Sequence, residues 1–249
     1  MTMSELNHHP ASADQTGILI KGLQDLGISP EEDQIEKLMR YMTLILDRNQ
    51  YINLTAIREP EEFLLRHYVD SAAVCSLPEY REAKRILDLG TGAGFPGVPL
   101  AILSPEKKFV LVDSLRKRLN VIDEFAQELG IQNVEVIHSR AEELGRDRGF
   151  REKIDLCVSR AVANLSVLSE YCLPLVRIGG SFISYKGSDI QEEVHEAEKA
   201  IRALGGKIDR ICTVPVGETE HSLVVIRKEK HTPKQYPRKA GTPAKSPIK

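Results

Sequence analysis

The chain of 249 residues has an ordinary globular composition, with 41% hydrophobic and 28% charged residues. A chain of this length buries a full core without disulfide or metal staples, which excludes fibrous and miniprotein classes. No apolar run approaches the roughly eighteen residues of a membrane helix. The formal net charge is -2, yet the segment from Arg227 to Lys249 carries eight Lys/Arg and one acid. The sequence leaves two interpretations of this basic segment: it binds the phosphates of a nucleic acid, or it is a solvated tail that aids solubility.

The N-terminal residues 1–13 contain no basic segment followed by an apolar stretch, so no secretory signal is visible. The four cysteines are Cys75, Cys157, Cys172 and Cys212, and no two of them form a CxxC pair. We therefore expect a cytoplasmic protein with free thiols and no metal site. We also expect a monomer that does not bind membranes.

Residues 1–80 predict an N-terminal helical cap. Leu19, Leu23 and Leu26 recur at helical spacing before Gly27. The segment 29–32 predicts the start of a second helix, with a serine N-cap and a proline in the first turn. The apolar stripe of this second helix comprises Ile35, Leu38, Met39, Met42, Ile45 and Leu46. A third helix after Pro60 would carry on one face Phe63, His67, Asp70 and Val74.

From residue 81 to 230 the pattern changes to short β-rich runs that alternate with helical stretches. The predicted strands are 85–90, 108–113, 134–139, 154–159, 180–187, 207–214 and 222–228. Alternation of this kind requires right-handed crossovers and a mostly parallel sheet covered by helices on both faces. The link 215–220 is too short for a crossover helix, so the last two strands should be antiparallel neighbours. The sequence thus predicts an α/β fold with seven strands, closed by a β-hairpin.

Residues 231–249 form a basic, proline-rich C-terminal tail. The tail has four prolines between His231 and Lys249 and no apolar period. We expect it to have no regular structure of its own.

A glycine-rich loop follows the first predicted strand. It contains GxGxG at Gly90, Gly92 and Gly94, preceded by Asp88, and also a literal GxGxxG ending at Gly97. Glycine allows a backbone to approach a ligand closely, and this position of a parallel sheet usually holds a nucleoside cofactor. The acid before the first glycine and the closing hairpin favour S-adenosylmethionine over a dinucleotide.

Three further strand ends carry candidate site residues. Asp113 ends the second strand, where it would accept ribose hydroxyls of either cofactor or cap the next helix. Glu142 follows the third strand and is equally compatible with a ligand contact and with a helix N-terminal acid. Arg160 directly follows the fourth strand, which is otherwise apolar, and this favours a role in the site over a structural ion pair.

At these residues the chain resembles the bacterial 16S ribosomal RNA guanine-N7 methyltransferases, the glucose-inhibited division protein B family. The resemblance extends over nearly the whole chain beyond its first 30 or so residues. The matching segments are 53–57, 67–71, the loop 88–99, Asp113-Ser114 with Lys117-Arg118, Ser139-Arg140-Ala141-Glu142, Ser159-Arg160-Ala161-Val162-Ala163, Lys186-Gly187 and the tail 232–243. The phenylalanine-proline-glycine end of the loop and the SRAE, SRAVA and YPRK segments are its most specific parts.

The resemblance implies a class I, Rossmann-like methyltransferase fold that binds S-adenosylmethionine. It places cofactor contacts at Gly90, Phe95, Asp113, Ala141, Glu142 and Arg160. Together with the loop residues Asp88, Gly92 and Gly94, these form the predicted cofactor site. The implied substrate is one guanine of 16S rRNA or of the small ribosomal subunit, and the tail becomes an RNA-contacting or site-covering element.

Guanine N7 carries an in-plane lone pair, so its methylation needs no general base. We therefore predict no catalytic side chain, only alignment, with Arg160 as the main contributor. N7 faces the deep, narrow major groove of A-form RNA, so the target base must be unstacked or in a loop. The candidate phosphate-binding residues are Arg116, Lys117, Arg118, Arg140, Lys186, Arg238 and Lys239.

Three alternatives remain open from the sequence. The GxGxxG pattern and Asp113 are also compatible with an NAD(P)-dependent oxidoreductase. A non-catalytic RNA-binding factor in ribosome assembly would retain the same fold. A methyltransferase acting on a small molecule is the third alternative, and the basic tail argues against it.

The sequence also leaves two roles open for His67 and Asp70. They either line the mouth of the site or form a hydrogen-bonded pair that fixes the helical cap to the sheet.

Overall fold

The computed structural model describes residues 13–160, 162–217 and 219–248. Ala161 of the SRAVA segment, Glu218 of the hairpin link, Lys249 and the first twelve residues of the predicted cap lie outside the described residues. None of the helices in these ranges combines the length and the apolar character that a bilayer crossing needs.

The seven strands form one sheet in the order β3-β2-β1-β4-β5-β7-β6. Their bounds are β1 Arg85–Leu89, β2 Lys108–Asp113, β3 Val134–His138, β4 Ile154–Arg160, β5 Val176–Lys186, β6 Gly206–Val216 and β7 Thr219–Lys228. The first five strands pair in parallel, whereas β7 is antiparallel to both β5 and β6. The predicted α/β fold and its antiparallel hairpin are confirmed. The hairpin link is shorter than predicted, because pairing continues to Val216 and Thr219.

The helices lie on both faces of the sheet. Their bounds are α1 Ala13–Asp25, α2 Glu32–Arg48, α3 Pro60–Phe63, α4 Asp70–Ala72, α5 Pro78–Glu82, α6 Gly97–Leu103, α7 Arg116–Glu128, α8 Ala141–Leu144, α9 Leu165–Cys172, α10 Gln191–Ala203 and α11 Thr242–Lys245. A π-helical segment, Leu64–Val69, joins α3 to α4, and a 3-10 turn, Ala73–Ser76, follows α4. The predicted third helix is thus a continuous helical segment with a wider turn at its centre.

Alternating residues of the central strands enter two separate cores. Ile86 and Leu111 pack with the cap helices, whereas Leu87 and Val110 pack with α9 and α10 on the opposite face. Strand side chains point alternately to the two sides, so a sheet that is covered twice needs apolar residues at consecutive positions. The cap therefore shares one core with a face of the sheet.

The start of α2 differs from the prediction. The N-cap is Glu31, not Ser29, and the helix begins at Glu32. Gln34 explains the shift, because its Oε1 accepts a hydrogen bond from the Glu31 N–H at 2.9 Å while its Nε2 donates to the Ile102 carbonyl at 3.1 Å. The side chain of Gln34 thereby satisfies a free helix-end donor and ties α2 to α6.

The C-terminal tail is irregular except for α11, which corrects the expectation that it has no regular structure. The helix begins immediately after Gly241, whose φ of +79° lies in the left-handed region. Glycine adopts this conformation without steric cost. Pro237 and Pro243 are buried, so the tail packs against the body of the protein.

Candidate functional site

The glycine loop connects β1 to α6 and is closed by Asp88. Oδ2 of Asp88 accepts hydrogen bonds from Thr91 Oγ1 at 2.7 Å and from the Gly97 N–H at 2.8 Å. Burial raises the pKa of this carboxyl to about 6, against the lowering effect of its two donors. A Cβ on Gly97 would lie 2.1 Å from Leu111 Cδ2, so only glycine lets α6 start this close to β2. Asp88 thus holds the loop from beneath.

Asp113 ties the loop to the end of β2. Its Oδ2 accepts the Gly92 N–H at 3.0 Å and its Oδ1 accepts the Leu115 N–H at 2.8 Å. Gly90 and Gly92 have φ values of +75° and +59°, so the loop uses the left-handed conformations that favour glycine. The carboxylate keeps further acceptor sites for a ligand, because two oxygens offer about four lone pairs.

A cavity of about 450 Å³ opens at the carboxyl ends of β1, β2 and β3. Its wall comprises Leu89, Gly90, Val112, Asp113, Ser114, Leu115, Arg118, Ser139, Arg140, Ala141, Glu142, Val162, Tyr171, Gly241 and Ala244. It lies beside the point where β1 has β2 on one side and β4 on the other, and the chain order reverses. Ligands of open α/β sheets bind at such switch points.

Two larger cavities lie elsewhere. One of about 560 Å³ lies near the amino ends of β1, β2 and β3, and one of about 660 Å³ lies between α10 and the C-terminal residues. Neither contains a residue of the glycine loop. Position at the switch point, together with the convergent acids, makes the 450 Å³ cavity the candidate site despite its smaller size.

Four of the nine predicted cofactor residues line this cavity: Gly90, Asp113, Ala141 and Glu142. Asp88 lies beneath the loop, as described above. Gly94 packs against α2, where a Cβ would lie 2.5 Å from the Tyr41 hydroxyl. Phe95 and Arg160 belong to a neighbouring cluster between the loop and the cap.

Arg160 fastens the end of β4 to the helical cap. Its Nη1 donates to Asp70 Oδ2 at 2.7 Å and to the Arg66 carbonyl at 2.8 Å. Asp70 also accepts from His221 on β7, with 2.6 Å between Oδ1 and Nδ1. The buried Asp70 carboxylate has a lowered pKa because these hydrogen bonds and charges outweigh the burial that raises it. Asp70 thus bonds to Arg160 and His221 and not, as the predicted pair required, directly to His67.

His67 completes the same cluster and stacks on Phe95. The two rings are 4.2 Å apart and within 4° of parallel. Arg160 Nη2 lies 3.0 Å from His67 Nδ1, and since arginine only donates, Nδ1 must be the acceptor. The proton is therefore on Nε2, which donates to Thr55 Oγ1 at 2.8 Å. Burial, with the Arg160 charge, lowers the pKa of His67 to about 3, so this imidazole is neutral.

The predicted RNA-binding residues divide into two groups. Arg116, Lys117, Arg140 and Lys239 are exposed, and Arg118 is half-buried in the cavity wall. The remaining two are engaged within the protein. Lys186 Nζ lies 2.6 Å from Glu193 Oε1, and Arg238 Nη2 lies 2.6 Å from the buried Glu170 Oε2.

The sequence analysis did not single out several residues of the site. Val162, Tyr171, Gly241 and Ala244 line the cavity, and His221 joins the Arg160 cluster. The matching tail segment 232–243 was the only signal that pointed to Gly241. Among the described residues, no cluster of three or more His, Cys, Asp or Glu could hold a metal ion.

Solved structures of other proteins share this fold. A 16S rRNA (adenine(1408)-N(1))-methyltransferase mutant from Catenulisporales acidiphilia superimposes with a TM-score of 0.51 at 18% identity, covering 61% of this chain and 89% of that one. A SAM-dependent O-methyltransferase from Thermotoga maritima gives 0.50 at 16% identity, covering 76% and 73%. At these identities the likeness shows the fold alone, and the fold is that of the class I methyltransferases.

The family model described as GidB, rRNA small subunit methyltransferase G, matches residues 34–222. The ribosomal RNA small subunit methyltransferase G of Clostridium botulinum (strain Eklund 17B / Type B) is 47% identical over 93% of this chain and 98% of the relative. The protein of that name from Alkaliphilus metalliredigens is 46% identical over the same shares. The chain belongs to the rRNA small subunit methyltransferase G family, which confirms the resemblance found in the sequence.

Proposed function

We propose that this protein transfers the methyl group of S-adenosylmethionine to N7 of a guanine in 16S rRNA. The observation that carries the proposal is the cavity at the sheet switch point, where Gly90, Asp113 and Glu142 converge in a chain of this family. Its volume of about 450 Å³ is within the range of small-molecule sites. Relatives named ribosomal RNA small subunit methyltransferase G support the RNA substrate.

The residues of the cavity fit this cofactor. Gly90 would bring backbone close to the ligand, and the Gly92 N–H holds Asp113, which has lone pairs left for ribose hydroxyls. Ala141 and Glu142 would border the adenine. When bound, the cofactor supplies an electrophilic methyl group on a cationic sulfur. The wall carries two acids, Asp113 and Glu142, and two arginines, Arg118 and Arg140, so its formal charges balance.

The side chains near the loop are suited to a reaction without a general base. His67 has Nδ1 committed to Arg160 and carries its proton on Nε2. Arg160 cannot lose its proton, and Asp88 is fully buried beneath the loop. Guanine N7 attacks through an existing lone pair, so the work of the protein is to orient the base and to tolerate the charge that the base acquires.

The Arg160 cluster is the part of the protein that would orient the reacting groups. Arg160 Cζ lies 5.6 Å from the centre of the Phe95 ring, while His67 covers that ring by stacking. The Arg160 charge is balanced by Asp70 at 2.7 Å, which reduces its repulsion of a cationic ligand. Arg160 would thereby position Phe95 of the loop while its own charge is already paired.

Cations in and near the cavity wall would hold the RNA around the target guanine. Arg118 and Arg140 line the cavity, and the exposed Arg116 and Lys117 precede Arg118 in α7. The target base must leave its stack for N7 to reach the cavity, and phosphate contacts would position the flanking strand. Lys186 and Arg238 would have to leave their carboxylates before they could bind a phosphate.

The test is to incubate the protein with labelled S-adenosylmethionine and either small ribosomal subunits or free 16S rRNA. Borohydride-aniline cleavage then maps any N7-methylguanine. We expect a single modified guanine with the unaltered protein and none with Arg160→Ala. Arg177→Ala is the matched control, since Arg177 pairs with Asp155 on the surface, remote from the cavity.

Other outcomes would favour the alternatives. A protein that binds the cofactor and the RNA but transfers no methyl group would be a non-catalytic assembly factor. A protein that does not bind S-adenosylmethionine in equilibrium dialysis but binds NAD would support the oxidoreductase alternative.

A further inference from the structure

The C-terminal residues 232–248 cross the surface of the protein as a strap that two arginines hold by its backbone. Arg146 Nη2 donates to the Pro237 carbonyl at 2.6 Å. Arg151 donates to the Tyr236 and Thr232 carbonyls, both at 2.8 Å. Backbone carbonyls of an irregular segment need partners when they pack on a protein, and these charged donors provide them. Residues 232–237 therefore have a defined path.

An ion pair with a buried acid holds the middle of the strap. Glu170 on α9 is only 1% exposed and accepts three kinds of donor from Arg238: the backbone N–H at 2.7 Å, Nε at 2.9 Å and Nη2 at 2.6 Å. Releasing the strap would leave this carboxylate buried without its cation, which is strongly unfavourable. The pair makes the docked position of the strap the stable one.

The strap then enters the wall of the cofactor cavity. The Gly241 N–H donates to Glu142 Oε1 at 2.8 Å, and Gly241 and Ala244 line the cavity together with Glu142. Glu142 is 5% exposed, and a buried carboxylate needs hydrogen-bond donors in place of water. The Gly241 N–H is the donor that the strap provides. The hydrogen bond orients one of the acids that would face the cofactor.

We propose that the strap is a component of the S-adenosylmethionine site, in which Gly241 and Ala244 form one wall and Gly241 positions Glu142. This inference rests on the proposed function. Cofactor binding and strap docking then stabilise each other. The affinity for the cofactor is lower when the strap is undocked, and bound cofactor raises the fraction of protein in which the strap is docked. The tail serves the cofactor site in addition to any contact that its exposed cations make with RNA.

The first test uses the unaltered full-length protein. Hydrogen exchange of residues 232–248 is measured with and without saturating S-adenosylmethionine, after calorimetry has established binding. We expect exchange in the strap to slow at least about fivefold on binding, because the ligand removes the undocked state. Unchanged exchange in a protein that binds the cofactor would overturn the inference and leave the proposed function intact. Failure of the unaltered protein to bind the cofactor would count against the proposed function itself.

The second test weakens the strap without touching the cavity wall. Glu170→Gln keeps the shape of the side chain but removes the charge that pairs with Arg238. We expect the dissociation constant for S-adenosylmethionine to rise about fivefold or more, in proportion to the loss of docked protein. Glu124→Gln is the matched control, since Glu124 pairs with Arg48 between α7 and α2 and contacts no strap residue in that pair. Equal affinities of the two variants would overturn the inference, and the exchange measurement decides it if Glu170→Gln does not fold.

Discussion

Two histidines in one hydrogen-bonded cluster have opposite charge behaviour. His67 lies between Arg160 and Thr55, where burial and a neighbouring cation lower its pKa to about 3. His221 faces Asp70, and their hydrogen bond raises the pKa of His221 despite the opposing effects of burial, Arg160 and Arg66. Burial beside a cation disfavours the charged form of His67, whereas the Asp70 carboxylate favours the charged form of His221.

The raised pKa of His221 predicts a pH-dependent contribution to stability. A folded-state pKa above the unfolded value of about 6.5 means that the ion pair with Asp70 stabilises the protein fully below about pH 6.5. The contribution is lost as the pH rises through the folded-state pKa. We expect the difference in unfolding free energy between the unaltered protein and His221→Gln to shrink as the pH rises above about 6.5. Urea titrations at several pH values measure it, and imidazole NMR should show His67 neutral throughout. A difference that grows with pH would contradict this account.

Gly92 is required by its backbone conformation. With a φ of +59°, valine there would cost about 1–2 kcal/mol in backbone strain and would disturb the hydrogen bond to Asp113. We expect Gly92→Val to abolish measurable S-adenosylmethionine binding in calorimetry while the chain still folds. Gly130→Val is the control, because Gly130 has a φ of +65° and open space around it but lies outside the glycine loop. Similar loss of affinity in both variants would show that strain alone, without the site, explains the effect.

At the scale of elements, the helical cap contacts the glycine loop and supports its conformation. Helix α2 buries Tyr41 against the loop, and the tyrosine hydroxyl donates to the Ala93 carbonyl at 2.8 Å. The ring also packs edge-on against Phe95 and Phe125. A helix from the first quarter of the chain thereby holds the outer side of a loop that Asp88 holds from beneath.

Removing the Tyr41 hydroxyl should loosen the loop. Tyr41→Phe leaves the buried Ala93 carbonyl without this donor, at a cost of about 1–3 kcal/mol in unfolding free energy. We expect a several-fold weaker affinity for S-adenosylmethionine as well. Chemical denaturation and calorimetry measure the two effects. Tyr51→Phe, at a tyrosine that is 85% exposed, should change neither, and an unaltered cofactor affinity in Tyr41→Phe would separate the cap from the site.

Helix α1 offers a stabilising substitution. Gly17 is exposed in the middle of this helix, and a Cβ there would meet nothing within 4 Å. Alanine is a better helix former than glycine by about 1 kcal/mol. We expect Gly17→Ala to raise the melting temperature by about 2–4 °C, measured by calorimetry, with unchanged cofactor affinity. A lower melting temperature would show that the helix conformation here is not the ordinary one.

At the scale of the whole molecule, a net negative charge of -2 coexists with local positive surfaces. The cations Arg116, Lys117 and Arg140 follow strand ends, at the edge of the sheet where the cavity opens. Strand ends of a parallel sheet converge in space, so these residues form one surface although they are spread along the sequence. Lys239 reaches the protein surface through the strap.

This surface predicts a salt-dependent affinity for RNA. Each phosphate contact contributes about 0.7–0.9 to the slope of log affinity against log salt concentration. We expect the combined change of Lys117, Arg140 and Lys239 to glutamine to lower that slope by about 2, measured by filter binding over a salt series. The same changes at Lys84, Lys108 and Lys199, which are exposed away from the cavity, are the control. Equal slopes for the two triple variants would place the RNA elsewhere.

Local patterns were sufficient for much of this molecule. Apolar periods located the strands and most helices within a few residues, since a side-chain repeat of 2 or 3.6 is a property of the backbone itself. The glycine loop and Asp113 were found because a close backbone approach and a strand-end acid each leave a signature at one place in the chain. The N-cap of α2 was missed because it depends on a contact from Gln34 to α6.

Long-range packing supplied the rest. Arg160 meets an acid 90 positions away, and Glu142 meets the strap 99 positions away. No local period encodes such pairs, because they arise only when the cap, the sheet and the C-terminal residues pack into one body. The order of the elements and the presence of a nucleoside-binding type of loop could be predicted from the amino-acid sequence. Only the three-dimensional structure shows that Arg160 joins the cap cluster, that Arg238 pairs with the buried Glu170 and that Gly241 lines the cavity.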